Sequence, residues 1–160
     1  MKIVLMGVAG CGKSSVGAAL SDLLGIPYID GDDLHPAANV EKMRAGIPLT
    51  DADRWPWLDA CAATLARGDT ILGCSALKRA YRDRLRGAGG VTFVHLSGPR
   101  DLIAARMAQR SGHYMPLSLL DSQFAALEPP QADEAALTIS IDQPTRSIAT
   151  AIARQLKGDT

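Results

Sequence analysis

Lys2-Ile3-Val4-Leu5-Met6-Gly7-Val8-Ala9-Gly10-Cys11-Gly12-Lys13-Ser14-Ser15-Val16 carries the change of period that decides the fold. Residues 2–6 are nearly all apolar and stop at Gly7, the pattern of a strand buried on both faces of a parallel sheet. From Lys13 the period becomes helical. Val16, Ala19, Leu20, Leu23 and Leu24 share a face, and Gly25 supplies a stop. Between strand and helix, Gly7 to Ser14 fits G-x-x-x-x-G-K-[ST]. Its glycines let backbone N–H groups turn inward around an anion. Lys13 brings a flexible point charge to β- and γ-phosphates, and Ser14 offers a hydroxyl to Mg²⁺. The helix aims its positive end at the same anion. A chance glycine-rich turn is the competing reading, but a buried strand before and an amphipathic helix after are the context a phosphate cradle requires. Cys11 reads as a small filler of this loop in preference to a reactive thiol near a helix N-terminus.

Outward from this unit, strand patterns recur at residues 27–30, 70–74, 91–96 and 137–141. Helical patterns lie between them, at 37–45, 53–67, 79–86, 99–110, 117–127 and 145–156. Strands alternating with helices predict right-handed β-α-β crossovers and a parallel sheet covered on both sides. Residues 128–134, with two prolines, read as a surface loop.

The 160 residues suffice for one domain, and 47% hydrophobic content supplies its core. With 17 basic and 17 acidic residues there is no cationic excess, which argues against a general nucleic-acid binder but allows a local pocket for a small anion. Cys11, Cys61 and Cys74 form no C-x-x-C pair and suit a reducing cytoplasm. The apolar start is broken by glycines and Lys13 too early for a signal peptide. No stretch approaches the roughly 20 apolar residues of a membrane span.

Asp30-Gly31-Asp32-Asp33 follows the second strand. In extended backbone Asp30 and Asp32 point to one side, toward the carboxyl edge of the sheet where ligands bind. One carboxylate can hold the water shell of Mg²⁺ and the other can accept a proton from a substrate hydroxyl. A turn with a helix N-cap is the alternative, and Asp33 fits it well. The third strand ends Gly73-Cys74-Ser75 without an aspartate, which turns the metal role toward Asp30. His35, Arg54, Lys78, Arg79 and Arg82 lie close after the second and third strands. A carboxylate-bearing substrate needs at least one such cation. The N–H groups of Ser75-Ala76-Leu77 are further candidates. For His35 a plain turn role is equally open. Trp55 and Trp57 can wall a pocket or simply fill the core. His95 reads as structural. Arg106 and Arg110, four apart on one helix face, repel unless an anion lies beside them, the alternative being an exposed face with solvated charges. Gly112 and Pro116 bracket a segment able to hinge over a nucleotide.

Several segments resemble the gluconate kinase family, relatives of shikimate kinase and adenylate kinase. They are MGVAGCGKSS, DGDDLHPAANVEKMRAGIPLTDADRWPWL, CSALKRAYRDRLR, VHLSG and RMAQRSGHYMPLSLLDSQFAALEPP. The resemblance implies a three-layer P-loop sandwich with a five-stranded parallel sheet, forming one domain over 1–160 with a helical lid at roughly 106–127. It implies ATP and Mg²⁺, transfer of phosphate to D-gluconate, and a homodimer. In its terms Lys13, Asp32 and Arg110 are catalytic. Gly7, Gly10, Cys11, Gly12, Lys13, Ser14 and Ser15 hold the nucleotide with Arg106, against adenine, and Arg110, near the phosphates. Asp142-Gln143-Pro144 borders the base. Asp32, His35, Arg54, Ser75, Lys78 and Arg79 face the substrate, and Ser14 and Asp30 the metal. Two rival readings are a kinase of another small hydroxy acid such as shikimate, and a non-catalytic nucleotide switch. Absence of the N-K-x-D guanine motif weighs against a GTP switch.

Overall fold

Alternation along each strand sorts the core into two layers. In β1 (Lys2–Met6), Ile3 and Leu5 point to one side, Val4 and Met6 to the other. The chain is described at residues 1–109 and 117–158 of a computed structural model. Its sheet has five parallel strands in the order β2-β3-β1-β4-β5, the remaining four being β2 (Tyr28–Asp30), β3 (Thr70–Gly73), β4 (Val91–Ser97) and β5 (Leu137–Ser140).

One face packs on α1 (Lys13–Leu24) and α7 (Thr145–Gly158). There Ile3, Leu5, Ile71 and Leu96 meet Val16, Leu20, Ile148 and Ile152. Ile103 of α5 (Arg100–Ala108) and Leu120 of α6 (Leu117–Ala126) extend this layer. The other face buries Val4, Met6, Leu72 and Phe93 against α3 (Asp51–Ala66) and α4 (Arg79–Arg86). Leu58 and Leu65 of α3 and Leu85 of α4 are wholly buried there. Each such side chain contributes about 1.5–3 kcal/mol through apolar burial. Among the described residues no helix is long and apolar enough to cross a membrane.

Register brings the carboxyl ends of β1, β3 and β2 to one edge. Leu5 pairs with Gly73, and Gly73 with Asp30. Two strand spacings therefore put Asp30 about 10 Å from the start of the loop after β1. A 3₁₀ turn, Gly31–Leu34, and α2 (Ala37–Arg44) continue from β2.

Two local expectations differ from what forms. α3 begins at Asp51, two residues early, because Thr50 caps it. The Thr50 hydroxyl accepts from Asp53 N–H, and the Asp53 carboxylate accepts from Thr50 N–H. The stretch 128–134 is no mere surface loop. It holds a short 3₁₀ turn, Ala132–Glu134, whose Glu134 side chain has 0% exposure and pairs with the equally buried Arg82 at 2.6 Å.

Candidate active site

Backbone geometry makes the loop after β1 a cradle. Gly10 adopts φ +81°, and a Cβ there would lie 2.5 Å from Met107 Cγ, so a side chain is excluded by conformation and by space. Gly12, also left-handed, caps α1. The floor is tied to β3: Gly7 N–H donates to Ser75 O at 3.2 Å and Cys74 N–H to Leu5 O at 3.0 Å. Lys13 folds back over the loop, its Nζ donating to the carbonyls of Gly7 at 2.9 Å and Val8 at 3.2 Å. From α6, Gln123 Oε1 accepts the Ala9 N–H at 2.6 Å. Cys11 is buried beneath the loop, packed in the core.

Beside the cradle opens a cavity of about 300 Å³. Gly10, Cys11, Gly12 and Ser15 form one wall, and Arg106, Gln143, Pro144 and Thr145 the other. Arg106 and the β5–α7 turn thus meet the loop. Arg110 lies outside the described residues.

The acid pair sits at the other end of the loop. Asp30 Oδ1 accepts the Asp32 N–H at 3.0 Å and caps the 3₁₀ turn, while its carboxylate stays on the sheet edge. Asp32 reaches solvent, yet enough protein surrounds its carboxyl for burial to raise its pKa above the ordinary value. The charge of Asp30 raises it further, and Lys13 and His35 pull it down. Lys13 and Asp32 therefore share one electrostatic environment. Tyr28 lies under both acids. Its ring and hydroxyl fill space that a Cβ on Gly17 of α1 or Gly73 of β3 would enter, at 2.3 Å and 2.2 Å. Burial raises the Tyr28 pKa, contact with the Ser14 hydroxyl lowers it, and Asp30 and Asp32 raise it. Ser14, Tyr28 and the acid pair form one contiguous patch.

Farther out, cations converge on Tyr81. The Arg54 guanidinium lies 5.5 Å and Lys78 Nζ 5.7 Å from its ring centroid. Asp51 accepts from the Tyr81 hydroxyl at 2.5 Å and lies 3.8 Å from both cations. Burial first, then this bond to Asp51, pushes the Tyr81 hydroxyl up to about 12. Arg54 also donates to Leu49 O at 2.8 Å. His35 stacks on Trp57, centroids 4.2 Å apart. Trp57 Nε1 donates to Gly31 O at 2.8 Å, which anchors the wall to the turn bearing Asp32.

Two of the sequence candidates are engaged elsewhere. Arg79 makes a bidentate pair with Asp133, at 2.9 and 2.7 Å, and bonds Gln131 at 2.6 Å. Arg82 is buried, gripping Glu134 and the carbonyls of Ala76 and Leu77. It thereby holds the loop after β3, where Ala76 takes a left-handed φ of 46°. Sequence reading missed Tyr28, Asn39 and Gln123, whose partners lie in other elements. None left a local signal, because the burial of Asn39 and the contacts of all three appear only once distant elements are packed together.

Among the described residues no group of three or more His, Cys, Asp or Glu is arranged to hold a metal. The oxygens present, the Ser14 hydroxyl and the Asp30 carboxylate, are hard donors of the type Mg²⁺ takes alongside phosphates and water. An anion cradle, an acid beside its lysine and cations beyond define a P-loop small-molecule kinase.

A family model described as shikimate kinase matches residues 9–157. The thermosensitive gluconokinase of Escherichia coli K12 is 52% identical, covering 82% of this chain and 73% of its own length. A gluconokinase of Gluconobacter oxydans is 49% identical, over 86% of this chain and 81% of its own. The crystal structure of a gluconokinase from Sinorhizobium meliloti superposes with a TM-score of 0.88 at 44% identity, covering 99% of this chain and 97% of that one. The chain belongs to the shikimate-kinase family and, within it, to the gluconokinases.

Proposed function

We propose that this kinase transfers the γ-phosphoryl group of ATP to D-gluconate, giving 6-phospho-D-gluconate and ADP. The observation that carries the reading is Asp32, a carboxylate of raised pKa within the fields of Lys13 of the phosphate loop and of His35. The gluconokinase names of relatives up to 52% identical support the acceptor.

In this reading the Gly7–Ser15 backbone cradles the phosphates, and Lys13 leaves its loop carbonyls to neutralise charge on the group in transfer. Asp32 orients the primary hydroxyl and takes its proton late, since the transition state is loose. Arg54 and Lys78 hold the acceptor carboxylate, with His35 beside them. Arg79, committed to Asp133, serves the scaffold. Arg106, Gln143 and Pro144 receive the base. Mg²⁺, when bound, supplies charge neutralisation across the phosphates; the Ser14 hydroxyl and, through water, the Asp30 carboxylate are the residues to hold it. A lid over roughly 106–127, a phosphate contact from Arg110, a homodimer and a cytoplasmic setting complete the proposal on family resemblance.

ADP release measured with gluconate, its epimers and shikimate side by side tests it. Gluconate is expected to give the highest kcat/KM and to need Mg²⁺. A preference for shikimate, or no turnover of any sugar acid, overturns it.

A further inference from the structure

Asn39 and His35 form a pair to which the phosphoryl-transfer scheme gives no joint task. Asn39, in the first turn of α2, is 4% exposed. Its Nδ2 donates to Asp53 O at 2.9 Å and lies 3.2 Å from His35 Nδ1. The carbonyl partner fixes which end of the amide is nitrogen, because an amide oxygen has no hydrogen to give a carbonyl. One Nδ2 hydrogen is then spent on Asp53 O and the other faces His35 Nδ1. That ring nitrogen must accept, so the ring proton sits on Nε2.

The ring is also clamped. Trp57 stacks on it within 16° of parallel, and Trp57 is itself fixed to Gly31 O. Two charged groups act on the imidazole, Asp32 from the 3₁₀ turn and Arg54 from α3. Asp53, next along α3, is already paired with Lys42 at 2.8 Å. Burial, the largest influence, lowers the imidazole pKa. Arg54 acts in the same direction, and Asp32 opposes it. At neutral pH the ring is uncharged and presents a single N–H, on the nitrogen turned away from Asn39.

We propose that Asn39 fixes His35 as the Nε2–H tautomer and that His35 gives this N–H to a hydroxyl oxygen of the acceptor, next to the hydroxyl received by Asp32. Asn39 is a positioning residue and His35 a specificity contact. A donor locked in one tautomer recognises an oxygen lone pair and gives nothing to a C–H at the same place, so it distinguishes a polyhydroxy acid from a deoxy analogue. The inference rests on the placement of the acceptor at Asp32 and holds whichever acid that acceptor is.

The test uses the full-length protein labelled with ¹⁵N-histidine. Two-bond ¹H–¹⁵N spectra are expected to show His35 protonated at Nε2 in wild type, and Asn39→Asp is expected to move the proton to Nδ1. In steady-state assays with the best acceptor found for wild type, Asn39→Asp and His35→Asn should raise the acceptor KM about tenfold, one hydrogen bond's worth. The ATP KM should stay within about twofold. His35→Gln, whose amide N–H falls near Nε2, should restore most of the loss, whereas His35→Asn should not. Nδ1 protonation in wild type overturns the proposal. So does an ATP KM that rises in step with the acceptor KM, or a His35→Gln enzyme no better than His35→Asn. If Asn39→Asp fails to fold, the two His35 variants still decide. Wild-type preference for a different acid would sink the gluconate reading alone, because the same variants are then read with that acid.

Discussion

At the scale of single residues, the sharpest consequence concerns Asp32. Burial and the neighbouring Asp30 raise its pKa, so it loses its charge at a higher pH than an ordinary aspartate. A base must be ionised to accept a proton, so activity falls as pH drops through that raised value. Wild type should show an acid limb in kcat/KM at a higher pH than an ordinary aspartate would give. Asp32→Asn should lower kcat about 100-fold or more, with the ATP KM nearly unchanged and the acid limb gone. Wild-type turnover in that variant would remove Asp32 from the chemistry. Gly10→Ala imposes a left-handed alanine and pushes on Met107. The conformational cost of about 1–2 kcal/mol should raise the ATP KM roughly tenfold while leaving the acceptor KM near wild type. The cradle was legible because bending backbone around an anion restricts residue type at fixed spacing, so glycine, lysine and serine announce it. The fate of Arg79 was not. Its partner Asp133 is 54 residues away, and no local pattern encodes that pairing.

At the scale of elements, the five strands were legible as short apolar runs between breakers, and α4 emerges at the predicted bounds. Ends were less legible. The start of α3 depends on a reciprocal bond between Thr50 and Asp53, which reads as ordinary polar sequence until both partners are placed. Residues 128–134 looked solvent-facing because they are polar and rich in proline, yet they supply a buried anion to α4. Arg82 and Arg86 both bond Glu134 Oε1 at 2.6 Å. Arg82→Met leaves Glu134 buried beside one partly exposed cation, Arg86, and frees Ala76 O and Leu77 O. Breaking a buried pair in this way costs about 3–5 kcal/mol. Urea unfolding should show that loss as a lower midpoint, and the loop after β3 should loosen with it. A midpoint equal to wild type would mean that the pair contributes nothing net.

For the molecule as a whole, acid is the revealing perturbation. Arg82 foremost, then Arg86 and the Gln131 N–H, holds the Glu134 carboxyl well below the ordinary range. Lys42 and the Thr50 N–H hold Asp53 at about 2. Both folded values lie below the unfolded ones, so their stabilisation is complete above the unfolded carboxylate pKa and is lost as pH falls toward the folded values. Stability to urea should therefore drop between about pH 5 and pH 2, and Glu134→Gln should flatten that slope while lowering stability at neutral pH. A slope identical to wild type would place the acid sensitivity elsewhere.

The bond from the Ala9 amide to Gln123 has a consequence of its own. An N–H at the mouth of the phosphate loop is closed by a side chain more than a hundred positions further along, on the helix that follows residues 110–116. Solvent exchange of that one proton should therefore depend on the Gln123 bond, and Gln123→Ala is expected to speed it. The Ala9 amide thus offers a built-in reporter, readable by hydrogen exchange, of whether the Gln123 side chain is seated on the loop.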